Sequence, residues 1–531
     1  MRLDQSYVLF PIKDDAEIRR VRMVGKDGVL RSFTASLGLP ADWWAHLDVS
    51  RWRAETVTFA LDPAEPALAA AIRGSDEIWS ADTIYREPLR PQFHFSSKRG
   101  WLNDPNGLVH HQGHYHLFYQ HNPYGWSWGN MHWGHAVSPD LVHWEERPIA
   151  LYPIGDNDLI FSGSAVSDTA NTSGWGRDGR PPLVAAFTST GRGECIAYSN
   201  DDGETWTEYS GNPVVTHPHE GRDPRLLWHA ASGQWVMVVY SQHRAAGADE
   251  RDVHGLSFHT SPDLKTWRER SWIGGFYECP DLFALPIDGD PKRTKWVLTA
   301  ASGAYAIGDF NGERFLPEGD LLPPPGGVPK LFYAPQTFSN HPEGLCVQIA
   351  WGLVKTPGAP FNQLMLAPTV LSLRTTAAGV RLCREPVAAL RSLREKTYEF
   401  PAGPLPVAPL LTELAGGAWD IEAIFRVGPS AFIQFDLGGD RFVYDAGEGR
   451  LNGPGGSVGI RCTAGRLRLR FLIDRTSVEV FGDLGQGYGA FARTSPGENA
   501  ALALSLGEAK PRGSDAAIES LAVHALRSAW S

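Results

Sequence analysis

Between residues 90 and 384 the apolar positions fall in short aromatic or β-branched runs, and helical spacing is nearly absent. Residues 114–120 (HYHLFYQ), 182–187 (PLVAAF) and 234–240 (QWVMVVY) are such runs, each bounded by Gly, Pro, Asn or Asp. That is the chemistry of strands and tight turns. Three turn segments read alike: Ser138-Pro-Asp-Leu-Val-His-Trp144, Ser199-Asn-Asp-Asp-Gly-Glu-Thr-Trp206 and Ser261-Pro-Asp-Leu-Lys-Thr-Trp267. Their tryptophans stand 62 and then 61 residues apart. A unit of about 60 residues, long enough for about four strands and repeated round an axis, describes a β-propeller blade. The 295 residues from 90 to 384 hold five of them. A meander of hairpins with coincidentally similar turns is the competing reading.

The flanks differ. Residues 1–85 form a separate β-rich unit, with two strands around Lys26-Asp27-Gly28, another at 55–62 and a short helix at 66–75. Residues 385–396 (EPVAALRSLREK) predict a helix within a linker, 385–407, and Pro- and Gly-rich sequence at 401–411 marks a boundary. From 408 to 531 alternating runs at 418–427, 431–437, 466–474 and 477–482 predict an antiparallel β-sandwich. The expected fold is therefore all-β: a small N-terminal domain, a five-bladed propeller and a C-terminal sandwich.

Composition narrows the function. Gly 56 and Pro 39 together make about 18% of the chain, above the usual ~12%, in keeping with many turns. The formal charge of −11 argues against a nucleic-acid partner, because phosphate backbones are bound by excess Lys and Arg. No stretch of about 18 apolar residues predicts a membrane span. The first twenty residues carry early acidic groups and no apolar core, so no cleavable secretory signal and a cytoplasmic location are expected. Five cysteines, Cys195, Cys279, Cys346, Cys383 and Cys462, are scattered without a CxxC pair, which argues against a disulfide framework or structural zinc. No metal or other cofactor is expected. With 19 Trp, 24 Phe and 15 Tyr, the chain is equipped either for an aromatic β-core or for stacking on the C–H faces of sugars.

Acidic residues inside apolar, turn-rich sequence need a reason to be there. Asp104, Asp223 and Glu278 are such residues, each followed by Pro within two positions. Ser162, in Phe161-Ser-Gly-Ser164, falls between the first two. From Asp104 to Ser162, Asp223, Glu278 and Tyr333 the steps are 58, 61, 55 and 55 residues. All five therefore share one phase of the repeat and converge on one axial funnel if the innermost strands carry that phase. Two carboxyl groups facing one ligand suffice for glycoside hydrolysis: one attacks the anomeric carbon and the other protonates the leaving oxygen. The acid must hold its proton through burial or a neighbouring negative charge; the direction of nearby Asp281 is left open. A third carboxylate can hold substrate hydroxyls, and Arg222 beside Asp223 is expected to keep that group ionised. Any one of these aspartates alone reads as a turn cap before Pro; three in phase read as a site.

These segments resemble, in order, the motifs of glycoside hydrolase family 32, the invertases, inulinases and levanases. The matches are Trp101-Leu-Asn-Asp-Pro-Asn-Gly107, Phe161-Ser-Gly-Ser164, Arg222-Asp-Pro224 and Tyr277-Glu-Cys279, supported by Phe118–Pro123, Trp128–His135, Tyr305–Phe310, Phe332–Gln336 and Ser477–Phe481. The resemblance covers about 90–530. It implies a five-bladed propeller followed by a sandwich, and retaining hydrolysis of β-fructofuranosides. It further implies Asp104 as nucleophile, Glu278 as acid/base and Asp223 as transition-state stabiliser. Asn103, Gln120, Trp128, Phe161, Ser162 and Arg222 would shape the fructose subsite, with Trp351 as a further wall. Leu102 stands where the family commonly has Met, and residues 365–374 follow the family's Leu-Pro-Arg pattern only loosely. The unit at 1–85 looks like the extra domain of some bacterial levanases, which favours a fructan, levan above all, over sucrose. A fructosyltransferase using the same site, and a catalytically silent fructan binder, are the alternatives.

Other clusters have plainer readings. His110, His111, His114 and His116 lie in a hairpin with Gly113 at its turn, where surface or packing roles are expected rather than metal binding. Cys279 is expected to be a packed thiol that tunes Glu278. Trp101, Trp126, Trp128 and Trp133 are candidate sugar platforms, at least one of them packed between blades. Asp156, Asp158, Asp201 and Asp202 are expected in solvated turns rather than in calcium sites.

Overall fold

The computed structural model describes residues 1–217, 219–243, 254–327, 331–405, 410–414, 417–494, 502–508 and 516–530, with 410–414 and 502–508 as backbone. The fold is all-β. In the N-terminal unit Tyr7–Ile12 lies between Trp43–Asp48 and Arg73–Ser75, and Ile18–Gly25 lies between Gly28–Ser36 and Thr58–Asp62. The two sheets bury Phe10, Met23, Phe33, Trp43 and Trp52, and Tyr124 of the next domain enters the same core.

Five four-stranded blades follow, each running from the axis outward. Their innermost strands are Gly100–His111, Ile160–Ser167, Gly221–His229, Asp281–Ile287 and Phe332–Thr337. The recurrent Ser…Asp…Trp segments are the turns between third and fourth strands of the first three blades. In the first, Asp140 Oδ1 accepts from Ser138 Oγ and from the amides of Val142 and His143, while Trp144 Nε1 donates to Leu141 O. Asp263 and Trp267 repeat this, and Asp201 and Trp206 repeat it with Gly203 at the left-handed position. The motif is thus a local hydrogen-bonding unit that reverses the chain and drops an indole between sheets.

The ring closes between the last blade and the first. Phe361–Asn362 pairs in parallel with Gly100 and Trp101, and Ser339 exchanges backbone hydrogen bonds with Leu108 and His110. Polar side chains stitch the axis. Gln336 accepts from Leu108 N and donates to Gly163 O, binding blades one, two and five. Arg225 pairs with Asp281 at 2.8 Å and donates twice to Thr337, binding blades three, four and five.

One expectation is corrected. Residues 385–396 do not form a helix: Ala388–Leu393 makes only a 3₁₀ turn, and Arg394–Phe400 is a strand paired with Ala516–Leu526. The sandwich thus begins at 394, inside the expected linker. Arg394 is drawn in by Asp420, with Nε at 2.8 Å from its carboxylate. Alternating residues of that strand cover the sandwich core through Tyr398 and Phe400. Of the Pro- and Gly-rich boundary, 406–409 lie outside the described residues. The two facing sheets, one with Trp419–Val427, Arg466–Ile473 and Ser477–Gly482, the other with Phe432–Leu437 and Asp440–Asp445, enclose a core of Phe425, Phe435, Phe442 and Phe471.

Propeller and sandwich are joined through His94. Its Nδ1 lies 2.8 Å from Asp474 and its Nε2 2.6 Å from Glu479, all fully buried. Glu479 also accepts from Tyr488 OH and Ala367 N, and Asp474 from Gln92 N. Burial alone would lower the imidazole, but the two carboxylates raise it to about 9. A histidine raised from 6.5 to about 9 stabilises the fold fully below pH 6.5, and that contribution, on the order of 3 kcal/mol, fades as pH rises through 9. We expect the stability gap between wild type and His94→Gln, measured by denaturant unfolding, to be widest near pH 6 and to narrow by pH 9.5.

Candidate active site

At one level of the funnel the innermost strands lose their regular pairing. The ladders shift register between Leu102 and Pro105, Phe161 and Gly163, Arg222 and Arg225, and Tyr333 and Gln336. In the fourth blade the chain reaches this level just before its strand begins, with Glu278 and Cys279 at φ +38° and +44°. Asp223 is at +65° and Ala334 at +47°. Bulges at a common height re-aim side chains that regular strands would send between blades, and left-handed backbone at non-glycine residues is the strain that functional sites store. Gly163 is required here, since a Cβ would meet Ala186 O at 2.0 Å.

The three carboxylates meet through shared partners. Asp104 accepts from Ser162 Oγ at 2.7 Å, Asn103 Nδ2 at 3.1 Å and Cys279 Sγ at 3.6 Å. The same sulfur lies 3.5 Å from Asp223 Oδ2, which also accepts from Cys279 N at 3.0 Å. Arg222 Nε stands 3.7 Å from Asp223 and 3.2 Å from Glu278, with Nη2 at 2.9 Å from Glu278. Tyr333 OH donates to the other oxygen of Glu278 at 2.5 Å. Asp104, Ser162, Asp223, Cys279 and Gln336 line one small cavity.

Walls surround this centre. Trp351 lies between Trp101 and Tyr333, with ring centroids at 5.9 and 6.2 Å, and Trp101 Nε1 donates to Asn103. Trp128, 54% exposed, meets Phe161 edge-on at 6.0 Å. Gln120 is the exception among the predicted residues. It is buried and donates to Ile160 O, so it supports the strand that carries Phe161 and Ser162.

The electrostatics correct two expectations. Arg222 does not hold Asp223 ionised: burial, with Glu278 and Asp104 nearby, outweighs the guanidinium and pushes Asp223 up to about 8. Burial and Glu278 also raise Asp104, against hydrogen bonds from Ser162, Asn103 and Cys279 that favour its charged form. Cys279 faces Asp104 and Asp223 rather than Glu278. Burial and those charges push the thiol up, so it serves as a neutral donor. Asp281 points below the site to Arg225 and Thr337.

The pattern of the chain gave no sign of Thr188. Its Oγ1 accepts from Asp223 N at 2.9 Å and donates to fully buried Glu194 at 2.7 Å, with His217 3.4 Å behind. Thr188 sits on the second strand of its blade, outside the repeat phase. The remaining candidates have structural partners. His111 bonds Ser167, His116 bonds His135, and His114 is exposed. Trp133 is buried between blades. Asp156 pairs with Arg20 and Arg22, Asp158 with Arg192, and Asp202 lies 3.5 Å from His111.

A model of the glycosyl hydrolases family 32 N-terminal domain matches residues 94–386. The levanase of Bacillus subtilis (strain 168) is 36% identical over 465 residues, 76% of this chain and 66% of that protein. The extracellular exo-inulinase of Aspergillus ficuum is 34% identical over 486 residues, 76% of this chain and 89% of that protein. The crystal structure of exo-inulinase from Aspergillus awamori superposes with a TM-score of 0.73 at 29% identity, covering 84% of this chain and 100% of that one.

The crowded carboxyls predict a site that destabilises its own fold. A carboxyl raised from 3.8 to about 8 keeps a proton in the folded chain that the unfolded chain has released, so stability falls as pH rises across that window. Asp223→Asn should therefore be more stable than wild type at pH 8, by about 1–2 kcal/mol, with the advantage shrinking toward pH 4. Denaturant titrations of both proteins at the two pH values check this.

Proposed function

The chain belongs to glycoside hydrolase family 32, and from that premise we propose that it is a β-fructofuranosidase hydrolysing fructans or sucrose by double displacement. Asp104 attacks the anomeric carbon and forms a covalent fructosyl-enzyme while Glu278 gives its proton to the departing oxygen. Glu278 then takes a proton from water, whose oxygen attacks the same carbon and releases Asp104. Asp223 receives substrate hydroxyls and, once ionised, favours the cationic transition state. Among substrates, fructans come first and levan first among them: the N-terminal domain and the levanase relative support that order.

The observation that carries this reading is the linked triad, in which Cys279 Sγ touches both Asp104 and Asp223 while Arg222 touches both Asp223 and Glu278. Like charges this close cannot all be ionised at neutral pH. Burial, with Glu278 and Asp104 nearby, raises Asp223, and carboxyls perturbed by burial and by one another are the mark of a catalytic site. Ser162 and Asn103 donate to Asp104, holding its oxygens in the charged, attacking form.

Asp104→Asn should abolish turnover, and Glu278→Gln should lower kcat by about 10²–10⁴, with circular dichroism unchanged for both. Rates near wild type on sucrose, kestose, inulin and levan in either variant would overturn the assignment. Time-resolved chromatography of the wild-type products should show free fructose. Longer chains or anhydrides would instead mark fructosyl transfer, and tight levan binding without release of reducing sugar would mark a silent binder.

A further inference from the structure

The N-terminal domain does more than sit beside the propeller. Its strand Gly28–Ser36 is an edge strand in the order Gly28–Ser36, Ile18–Gly25, Thr58–Asp62, and edge strands present unpaired backbone groups. Asn130 uses its side-chain amide as a substitute peptide on that edge. Its Oδ1 accepts from Thr34 N at 2.7 Å and its Nδ2 donates to Thr34 O at 2.6 Å, while also reaching Asn122 at 3.0 Å. Phe33 stacks on Tyr124 with centroids 3.7 Å apart.

The segment held in this way, 123–131, has no strand of its own and carries Trp126 and Trp128. Asn122 and Asn362 hold it from the propeller side through Ser127 O and Trp126 O, both at 2.9 Å. A cleft remains between the two domains, lined on one side by Asp14, Ile18 and Ser36 and on the other by Trp126 and Trp128. Ile18 is 66% exposed, Asp14 is exposed, and Trp126 Nε1 is buried with no hydrogen-bond partner. Trp128 belongs to both places, since its ring meets Phe161, the neighbour of Ser162, in the catalytic funnel.

Indole faces, an apolar side chain and a carboxylate are what a chain of sugar rings requires: C–H faces to stack on and a partner for hydroxyls. We infer that the cleft between the N-terminal domain and the Trp126–Trp128 segment receives fructosyl units beyond those held in the funnel, so that Asp14 and Ile18 set preference for chain length. The occupant is the remainder of the substrate itself, because Trp128 lines the cleft and its ring also meets Phe161, the neighbour of Ser162. The inference rests on the catalytic reading above.

The test is the double variant Asp14→Asn/Ile18→Ala, both positions exposed, with Asn keeping the oxygen that accepts from Trp43 Nε1. Steady-state kinetics on sucrose, kestose and levan should show the levan-to-sucrose ratio of kcat/KM falling about tenfold, through a rise in KM for levan with kcat retained, and kestose falling less. The melting temperature should match wild type. An unchanged ratio, or an equal loss on all three substrates, overturns the inference while leaving the assignments of Asp104 and Glu278 standing on their own variants. A wild-type protein that hydrolyses none of the three overturns the catalytic reading and this inference with it.

Discussion

Three carboxyl groups from three blades share one funnel, and the chain must hold them there against their mutual repulsion. Ionised carboxylates this close and this buried are costly unless each has hydrogen-bond partners and some charge is neutralised. One sulfur and one guanidinium bridge them, Cys279 between Asp104 and Asp223 and Arg222 between Asp223 and Glu278. Burial, with Glu278 and Asp104 nearby, still outweighs Arg222 and pushes Asp223 up to about 8. The chemistry of the site and its cost to stability have the same origin.

Holding such a cluster requires a rigid frame. Four innermost strands break their ladders at the same height and the fourth blade's strand begins just past it, so the functional groups leave regular pairing just where they are used. Below that height the axis is stitched by Gln336 and by Arg225, Asp281 and Thr337, which span all five blades between them. A buried ion pair is weak support for stability by itself. Here its geometry, with Thr337 N and Asp281 completing a closed set of bonds, fixes blades against one another. The ring is then closed by backbone pairing of residues 361–362 with Gly100 and Trp101.

Much of this was legible in the chain, for physical reasons. Turns such as Ser138–Trp144 are held by short-range bonds among their own residues, so their recurrence exposes the blade period. The common phase of Asp104, Ser162, Asp223, Glu278 and Tyr333 exposes the convergence. Direction was not legible, because a bulge inverts the alternation that tells inside from outside. Asp281 therefore turned out to serve the axis, and Cys279 to face Asp104 and Asp223. Long-range partners were equally hidden: nothing near His94 announces Asp474 and Glu479, although the segment holding Glu479 had been singled out by resemblance. Residues 388–393 have the spacing of a helix, but pairing with Ala516–Leu526 takes the chain into strand from Arg394. Tertiary pairing overrides local preference there.

The account stands on Asp104 as the atom donor to a covalent intermediate. The direct measurement is intact-protein and peptide mass spectrometry of Glu278→Gln mixed with a β-fructofuranosyl fluoride. Fluoride departs without acid assistance, while hydrolysis of the fructosyl-enzyme still needs the missing base. The account predicts that one fructosyl unit accumulates on the peptide bearing Asp104. Fluoride release with no adduct, or an adduct on another residue, would contradict it.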